Sequence, residues 1–433
     1  MRDYQSWGRY PYVQHTRVVP ISWRSAPPEL ATIPGNVLPF ACGRSYGDSC
    51  LNDQGTLLDV TGLDRFISFD ESRGVLRCEA GVTLAEILAL AVPRGWFVPV
   101  LPGTRWVSVG GAIANDIHGK NHHRAGTFGS HVACFEILRS TGERVLCSPE
   151  INPELFRATV GGLGLTGLIL WAEVRLKPVP GAAITLERIR FSGLSEFFQL
   201  SSTDQQHEYT VAWIDCLAPG KRLGRGLFMR GDHAPGAPGA PSGLGRKIPT
   251  EMPSWLINRA TVAGFNALYY RSQLRTTRRS TVSYEPFFFP LDGIANWNRL
   301  YGKRGLLQYQ CVIPEPAEEI LAAMLHQVAA SAEAPSLAVL KRFGAMQSPG
   351  MLSFPRPGTT LAIDFANRGP GTLALLERLD ELVGDAGGSV YPAKDARMST
   401  ASFCRFFPRW ESFASHVDPK FSSSFWRRVT AGR

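Results

Sequence analysis

Between Leu101 and His131 the chain reads LPGTRWVSVGGAIANDIHGKNHHRAGTFGSH, with six glycines and four histidines in 31 residues. This is the stretch that most narrows what the chain can fold into. So much glycine is unusual for an ordinary connection, and the Ser, Thr, Asn and His between the glycines are poor core formers. Close backbone approach to a large polar ligand explains the composition. Glycine admits contacts that a Cβ would block, and free N–H groups can converge on anionic oxygens. The histidines leave three readings open. A metal cluster would use His118 and His122, four residues apart as on one helical face. Gly119 opposes a stable helix there, however, and neither an HExxH motif nor an obvious carboxylate partner accompanies them. The other readings are structural roles for most of the four, and a cofactor or substrate contact for His118. No metal site is assigned.

Two shorter runs add to this. GRSYGD, Gly43 to Asp48, can form a nest of backbone N–H groups around an anion, although alone it is equally a plain turn. Gly162-Leu163-Gly164-Leu165-Thr166-Gly167 satisfies G-x-G-x-x-G. The dinucleotide fingerprint must follow a strand and open a helix. Here helix-like PELFRATV precedes and strand-like LILWAEVRL follows, so a Rossmann site is excluded and a tight turn is expected.

Around these loops the pattern is mixed. Strands are expected at 56–60, 66–70 and 74–80, with a hairpin turn at Glu71 to Gly74. A helix from Thr83 to Ala91 carries a capping box in Thr83 and Glu86. A strand–turn–strand at 135–147, a helix at 153–160 and a strand at 168–176 complete a first unit of about 180 residues. From about 183, strands at 184–191, 209–215 and 226–230 mix with helices at 194–200 and 316–329. The fold class is α+β, with an antiparallel sheet in the second unit. Residues 231–250 are rich in Gly, Pro and Ala without apolar periodicity, and are expected to be a flexible loop acting as a lid.

Composition excludes several functions. The net charge of +9 favours an anionic ligand. The densest basic run, RSQLRTTRR at 271–279, lacks the interleaved aromatics of a base-stacking surface, so nucleic acid is not expected. Eight cysteines without a CxxC pair oppose zinc and thioredoxin-type chemistry and suit a reducing compartment. The N-terminus lacks a signal-type apolar stretch, and the longest apolar candidate, Leu84 to Leu101, is broken by Glu86, Pro93, Arg94 and Gly95. A cytoplasmic protein, peripheral at the inner membrane at most, is expected.

PGNVLPFACGRSYGDS, the 102–131 loop and ELFRATVGGLGLTG together resemble the FAD domain of the vanillyl-alcohol oxidase (p-cresol methylhydroxylase-type) superfamily. Within it the resemblance is to the decaprenylphosphoryl-β-D-ribose 2′-oxidase family. It continues through VAWIDC (211–216), FFFPLD (287–292), WNRLYG (297–302), LLQYQCVIP (306–314), LKRFG (340–344), LAIDF (361–365) and VYPAKDAR (390–397). The resemblance implies a two-part FAD-binding domain, 1–182 completed by 389–433, around a substrate-binding domain at 183–388. It implies FAD contacts from Gly43, Arg44, Ser45, Tyr46, Gly47, Asp48 and Ser49, and from Ser108, Val109, Gly110, Gly111, Asn115, Asp116, Ile117 and His118. Gly103, Ile169 and Tyr391 match further contacts. Tyr46 stands where many superfamily members carry the His that bonds the flavin, so a non-covalent FAD is implied. Lys394, His118 and Gln310 match catalytic positions, and Lys341, Gln308, Phe288 and Ala362 match substrate-binding ones. Two departures stand out. Ala362 replaces a Cys beside the flavin, and Phe288 and Phe289 replace a Tyr and a His of the substrate wall.

The implied activity is oxidation of a sugar secondary alcohol to a ketone. The expected substrate is the 2′-hydroxyl of a polyprenylphosphoryl-β-D-ribose, and a NAD(P)H-dependent ketoreductase partner would complete an epimerisation. Alternatives are a sugar- or aldonolactone oxidase using oxygen, a non-catalytic polyprenyl-phosphate binding module, and a metal-dependent hydrolase using the histidines.

Overall fold

The computed structural model describes residues 3–204, 206–236, 245, 247–253 and 255–432. The first lobe opens with a parallel three-stranded sheet of β1 (Arg17–Pro20), β2 (Val37–Phe40) and β3 (Thr56–Asp59), in the order β1-β3-β2. An antiparallel five-stranded sheet follows. It comprises β4 (Phe66–Asp70), β5 (Val75–Glu79), β7 (Val132–Leu138), β8 (Arg144–Cys147) and β9 (Leu168–Arg175), in the order β4-β5-β9-β7-β8. A two-stranded clip of β6 (Trp96–Phe97) and β10 (Lys177–Pro178) closes its edge. Helix α1 (Leu84–Ala91) begins where its sequence says it should. The Thr83 hydroxyl accepts from Glu86 N at 3.3 Å and the Glu86 carboxylate accepts from Thr83 N at 2.8 Å, satisfying two end groups reciprocally.

Short helices α2 (Val109–Ala114) and α3 (His122–Ala125) interrupt the glycine-rich loop. Helix α4 (Pro153–Thr159) precedes the 162–167 turn and β9 follows it, the reverse of a dinucleotide fold. Positive φ at Gly161, Leu163, Gly164 and Gly167 makes this a tight reversal.

The second lobe is built on an eight-stranded antiparallel sheet. Its strands are β11 (Ala183–Phe191), β12 (Tyr209–Ile214), β13 (Gly226–Ala234), β14 (Thr277–Ser283), β15 (Leu306–Ile313), β16 (Pro335–Phe343), β17 (Gly358–Ala366) and β18 (Ser389–Val390). Their order is β14-β11-β13-β12-β16-β17-β15-β18. One face is largely apolar along its central strands. Tyr309, Cys311, Leu361, Ile363, Phe365 and Leu340 point from it into a core shared with α5 (Leu194–Thr203), α8 (Glu318–Ala330) and α9 (Pro370–Asp385). Helices α6 (Arg259–Arg271) and α7 (Tyr284–Phe288) flank the sheet.

Three sequence expectations need adjusting. Strand β13 continues to Ala234, because residues 231–234 pair with Leu186 back to Ala183, so the loop expected from 231 starts later. Most of it, 237–244 and 246, lies outside the described residues. Helices α6 and α9 were not anticipated at all.

After β18 the chain returns to the first lobe through α10 (Thr400–Phe406), α11 (Trp410–Ala414) and α12 (Ser424–Val429). Phe421 bridges Val37, and Arg428 holds Asp48 at 2.6 Å and Asp395 at 3.0 Å. A Cβ on Gly47 would lie 1.5 Å from the Asp395 carbonyl oxygen, so only glycine lets the Gly43–Asp48 run reach this segment.

Candidate active site

Sheet register sets the other face of the second lobe. In register across three adjacent strands lie Gln308, Asp364 and Leu337; then Gln310, Ala362 and Val339; then Val312, Thr360 and Lys341. Side chains alternate along a strand, so each of these polar residues is one position from an apolar core residue. Ala362 and Lys341 are only partly buried although their strands are central, so this face lines a cleft.

The glycine-rich loop covers one end of the cleft through His118. Its ring packs beside Phe343 at 4.9 Å and Tyr391 at 5.1 Å between centroids. The Gln310 amide nitrogen lies 2.7 Å from His118 Nε2 and 3.3 Å from Thr360 Oγ1. The Thr360 hydroxyl donates to the Cys311 carbonyl at 2.8 Å, which leaves its oxygen to accept from Gln310. With the amide donating to both, His118 Nε2 is the acceptor and the proton sits on Nδ1. Burial, with Lys341 adding to it, holds this imidazole well below its ordinary pKa, so it stays neutral. Its Nδ1 is buried and has no partner among the described residues.

The returning segment also borders the cleft. Tyr46 N donates to the Ala393 carbonyl at 2.9 Å, and Lys394 Nζ stands 3.7 Å from the centre of the Tyr46 ring. Tyr391 donates its hydroxyl to the Asn115 carbonyl at 2.7 Å, tying this segment to α2. Burial brings the Lys394 ammonium down to about 7, with Asp364 opposing and Lys341 assisting. Burial pushes Asp364 up to about 6, against the Gln308 amide that donates to Oδ1 at 2.5 Å. Its Oδ2 has no partner among the described residues.

Two further cations face the same space. Burial lowers Lys341 to about 8. Lys120, whose Nζ donates to the Phe288 carbonyl at 3.0 Å, falls to about 7 through burial and then Lys341. Lys120 and Asp364 were not singled out from the sequence. Lys120 is hidden inside a glycine-rich motif, and Asp364 reads there as an ordinary polar strand residue two positions after Ala362.

The remaining expected positions divide. Ser108 caps α2, accepting from Gly111 N at 3.1 Å, with Val109 and Gly110 following it. Arg44 lies over Trp7 at 4.2 Å, and Ser45 O accepts from Trp7 N at 2.8 Å. Ile117 and Ile169 are buried. The Asp116 carboxylate is spent within the protein on Gly129 N at 2.9 Å and on the hydroxyls of Ser348 and Ser353. That of Asp48 is spent on Arg428, so both residues can offer a ligand only their backbone. Gly103 is exposed. Phe288, expected on the substrate wall, is 1% exposed and packs edge-on to Tyr209 at 4.7 Å; Lys120 donates to its carbonyl and holds the ammonium 5.5 Å from its ring centre. The histidines point to separate partners. His122 Nδ1 accepts from Gly344 N, His123 meets the His207 carbonyl and His131 the Ala125 carbonyl.

The residues present suit a flavin dinucleotide. The two loops meet through the returning segment, Gly43 has φ +61°, and buried Ser49 Oγ and His118 Nδ1 offer polar atoms unpartnered among the described residues. Buried polar groups are nearly always satisfied, so a polar ligand is the natural partner for both.

Comparison with known proteins agrees. An FAD binding domain model matches residues 33–148, which contain both loops. The chain is 37% identical to the decaprenylphosphoryl-beta-D-ribose oxidase of Mycolicibacterium smegmatis over 413 residues, covering 91% of this chain and 89% of that protein. An uncharacterized protein in the mprA 5′ region of Streptomyces coelicolor is 35% identical, covering 80% of this chain and all of that protein. A putative D-arabinono-1,4-lactone oxidase of Neurospora crassa is 32% identical over 144 residues, 33% of this chain and 25% of that protein. An FAD-dependent oxidoreductase, the chain belongs to the decaprenylphosphoryl-β-D-ribose oxidase family.

Proposed function

We propose that the protein oxidises the 2′-hydroxyl of a polyprenylphosphoryl-β-D-ribose to the ketone. The observation that carries this is the convergence of Lys120, Lys341 and Lys394 on the cleft that His118 and Gln310 also line. Lys394 has Asp364 beside it, but burial lowers Lys120 and Lys341 with no carboxylate opposing; two such cations near one another are costly unless an anion joins them, and a phosphodiester on the sugar supplies it. An aldonolactone would bring no such charge.

Loops 43–49 and 108–118, with Gly103, Ile169 and Tyr391, would hold FAD without a covalent bond. Burial and then Asp364 raise the Tyr46 phenol well above its ordinary pKa, so it stays neutral. In this reading residues 1–182 and 389–433 form one FAD domain in two parts and 183–388 bind substrate. When bound, FAD accepts the hydride from the carbinol carbon. Lys394 Nζ donates to the reacting hydroxyl oxygen and stabilises negative charge there. Asp364 Oδ2, a base of matching strength beside it, takes the hydroxyl proton. His118, held by Gln310, donates from Nδ1, while Lys341 and Lys120 hold the phosphate. A ketoreductase using NAD(P)H would finish the conversion to the arabinose form, and the lipid chain calls for peripheral membrane contact. No helix among the described residues is long and apolar enough to cross a membrane.

The test is anaerobic bleaching of the purified yellow protein by polyprenylphosphoryl pentoses, free pentoses and aldonolactones. Bleaching by the phosphoryl ribose alone supports the proposal. Bleaching by lactones or free sugars at equal or lower concentration overturns it.

A further inference from the structure

Helix α6 is built inside out. Its inward side presents Val262 and the polar Asn266, whose amide donates to Asp215 at 2.9 Å. Its outward side presents Phe265 and Leu268, 58% and 72% exposed. Trp255, 70% exposed, lies just before the helix, and Leu274, 83% exposed, just after it. Scattered apolar residues on a surface are normal, but four large ones on one helix and at its two ends mark an interaction site. The charge around them is of one sign. Residues 252–284 contain five arginines and no Asp or Glu. Arg259 turns inward to backbone carbonyls of Ala329 and Ser331, and Arg279 pairs with Glu187 at 2.6 Å. Arg271, Arg275 and Arg278 are exposed and have no ion-pair partner among the described residues.

We propose that this face docks on an anionic lipid bilayer. Aromatic and aliphatic side chains beside unpaired arginines, in a segment without Asp or Glu, match the boundary between headgroups and acyl chains. The surface is also continuous with the cleft. Ile257, between Leu256 and the helix, packs against a cluster containing Trp297 and Tyr301; Tyr46 packs against the same cluster and carries Lys394 on its ring. A bilayer seated on α6 is thereby linked to the reaction site through one cluster of packed side chains. The argument for the surface is independent of the substrate reading.

The test is co-sedimentation of FAD-loaded protein with vesicles of phosphatidylcholine alone or with 30% phosphatidylglycerol, without any substrate. The parent should pellet with the mixed vesicles and release as salt rises. Phe265→Ser/Leu268→Ser and Arg271→Glu/Arg275→Glu should each weaken partitioning about tenfold or more, with FAD content and melting temperature unchanged. A parent that stays in the supernatant, or variants that pellet like the parent, overturn the proposal. So does a parent dimer in sedimentation velocity that the variants dissolve, since a second copy would then cover the face. Bleaching by phosphoryl ribose fails or succeeds separately, so the two readings fall independently.

Discussion

The two faces of the eight-stranded sheet are written by alternate residues of the same strands and have opposite requirements. On β17, Leu361, Ile363 and Phe365 are fully buried under α8 and α9, while Thr360, Ala362 and Asp364 face the cleft. The helix-covered face gains from every methylene it hides. The cleft face holds a carboxyl raised to about 6 and, with its neighbours, lysines lowered to about 7 and 8. Those shifts mean that ionised groups are kept at a cost, which is typical of a working site and of little use to a scaffold. In the proposed mechanism one face governs folding and the other governs rate, although neighbouring residues on the two are joined by a single peptide bond.

Substitutions on the two faces should separate cleanly. Lys394→Ala should cut turnover by about 10²–10³ while FAD content and melting temperature stay near the parent's. Lys394→Arg should recover only part of the loss, because a planar fork does not replace a compact ammonium. Stopped-flow measurement showing Lys394→Ala within a few-fold of the parent would remove this lysine from the mechanism. On the other face, Ile363→Ala should lower unfolding free energy by about 2–5 kcal/mol. Turnover per folded, FAD-loaded molecule should remain within about twofold of the parent. A variant that melts normally but turns over slowly would erase the distinction between the faces.

The pH profile sharpens the comparison. Asp364 must be ionised to accept a proton, so turnover should rise as pH passes upward through about 6. Lys394 must be charged, so turnover should fall as pH rises through about 7. Asp364→Asn should abolish the acidic limb and move the alkaline limb to lower pH, because the carboxylate is what raises the lysine. An alkaline limb that does not move would uncouple the pair. The smallest effect is expected at Ala362. Ala362→Cys should leave melting unchanged and create a thiol on the cleft face that a flavin-site electrophile labels. In the parent, peptide mapping should find no adduct on Cys311, which is fully buried on the opposite side of the sheet.

Local signals made much of the first lobe legible. The Thr83–Glu86 box, the 66–80 hairpin and the reversed order around 162–167 each rest on neighbouring residues, and each stands in the structure. Helix α6 escaped because its outward apolar face and buried Asn266 invert the usual pattern. Helix α9 was within reach of the same rules, with Pro370 in its first turn and Leu375, Leu379 and Val383 inward. The site was less legible than the fold. Asp364 meets Lys394 only through sheet register and chain return, and the orientation of Phe288 follows from packing with Tyr209 and Phe97. Tertiary facts of this kind leave no mark on local spacing.

The contact of Gly47 with Asp395 also orders events in time. Loop 43–49 leaves the ribosome early, yet its companions Ala393, Lys394 and Asp395 follow about 350 residues later. At ~5–20 residues per second, that is a wait of roughly 20–70 s. During it the nascent chain holds half of the proposed cofactor cradle and not yet Lys394. In the proposed arrangement cofactor capture is thus a late step, and a chain halted anywhere before residue 393 should emerge colourless however well its first lobe has folded.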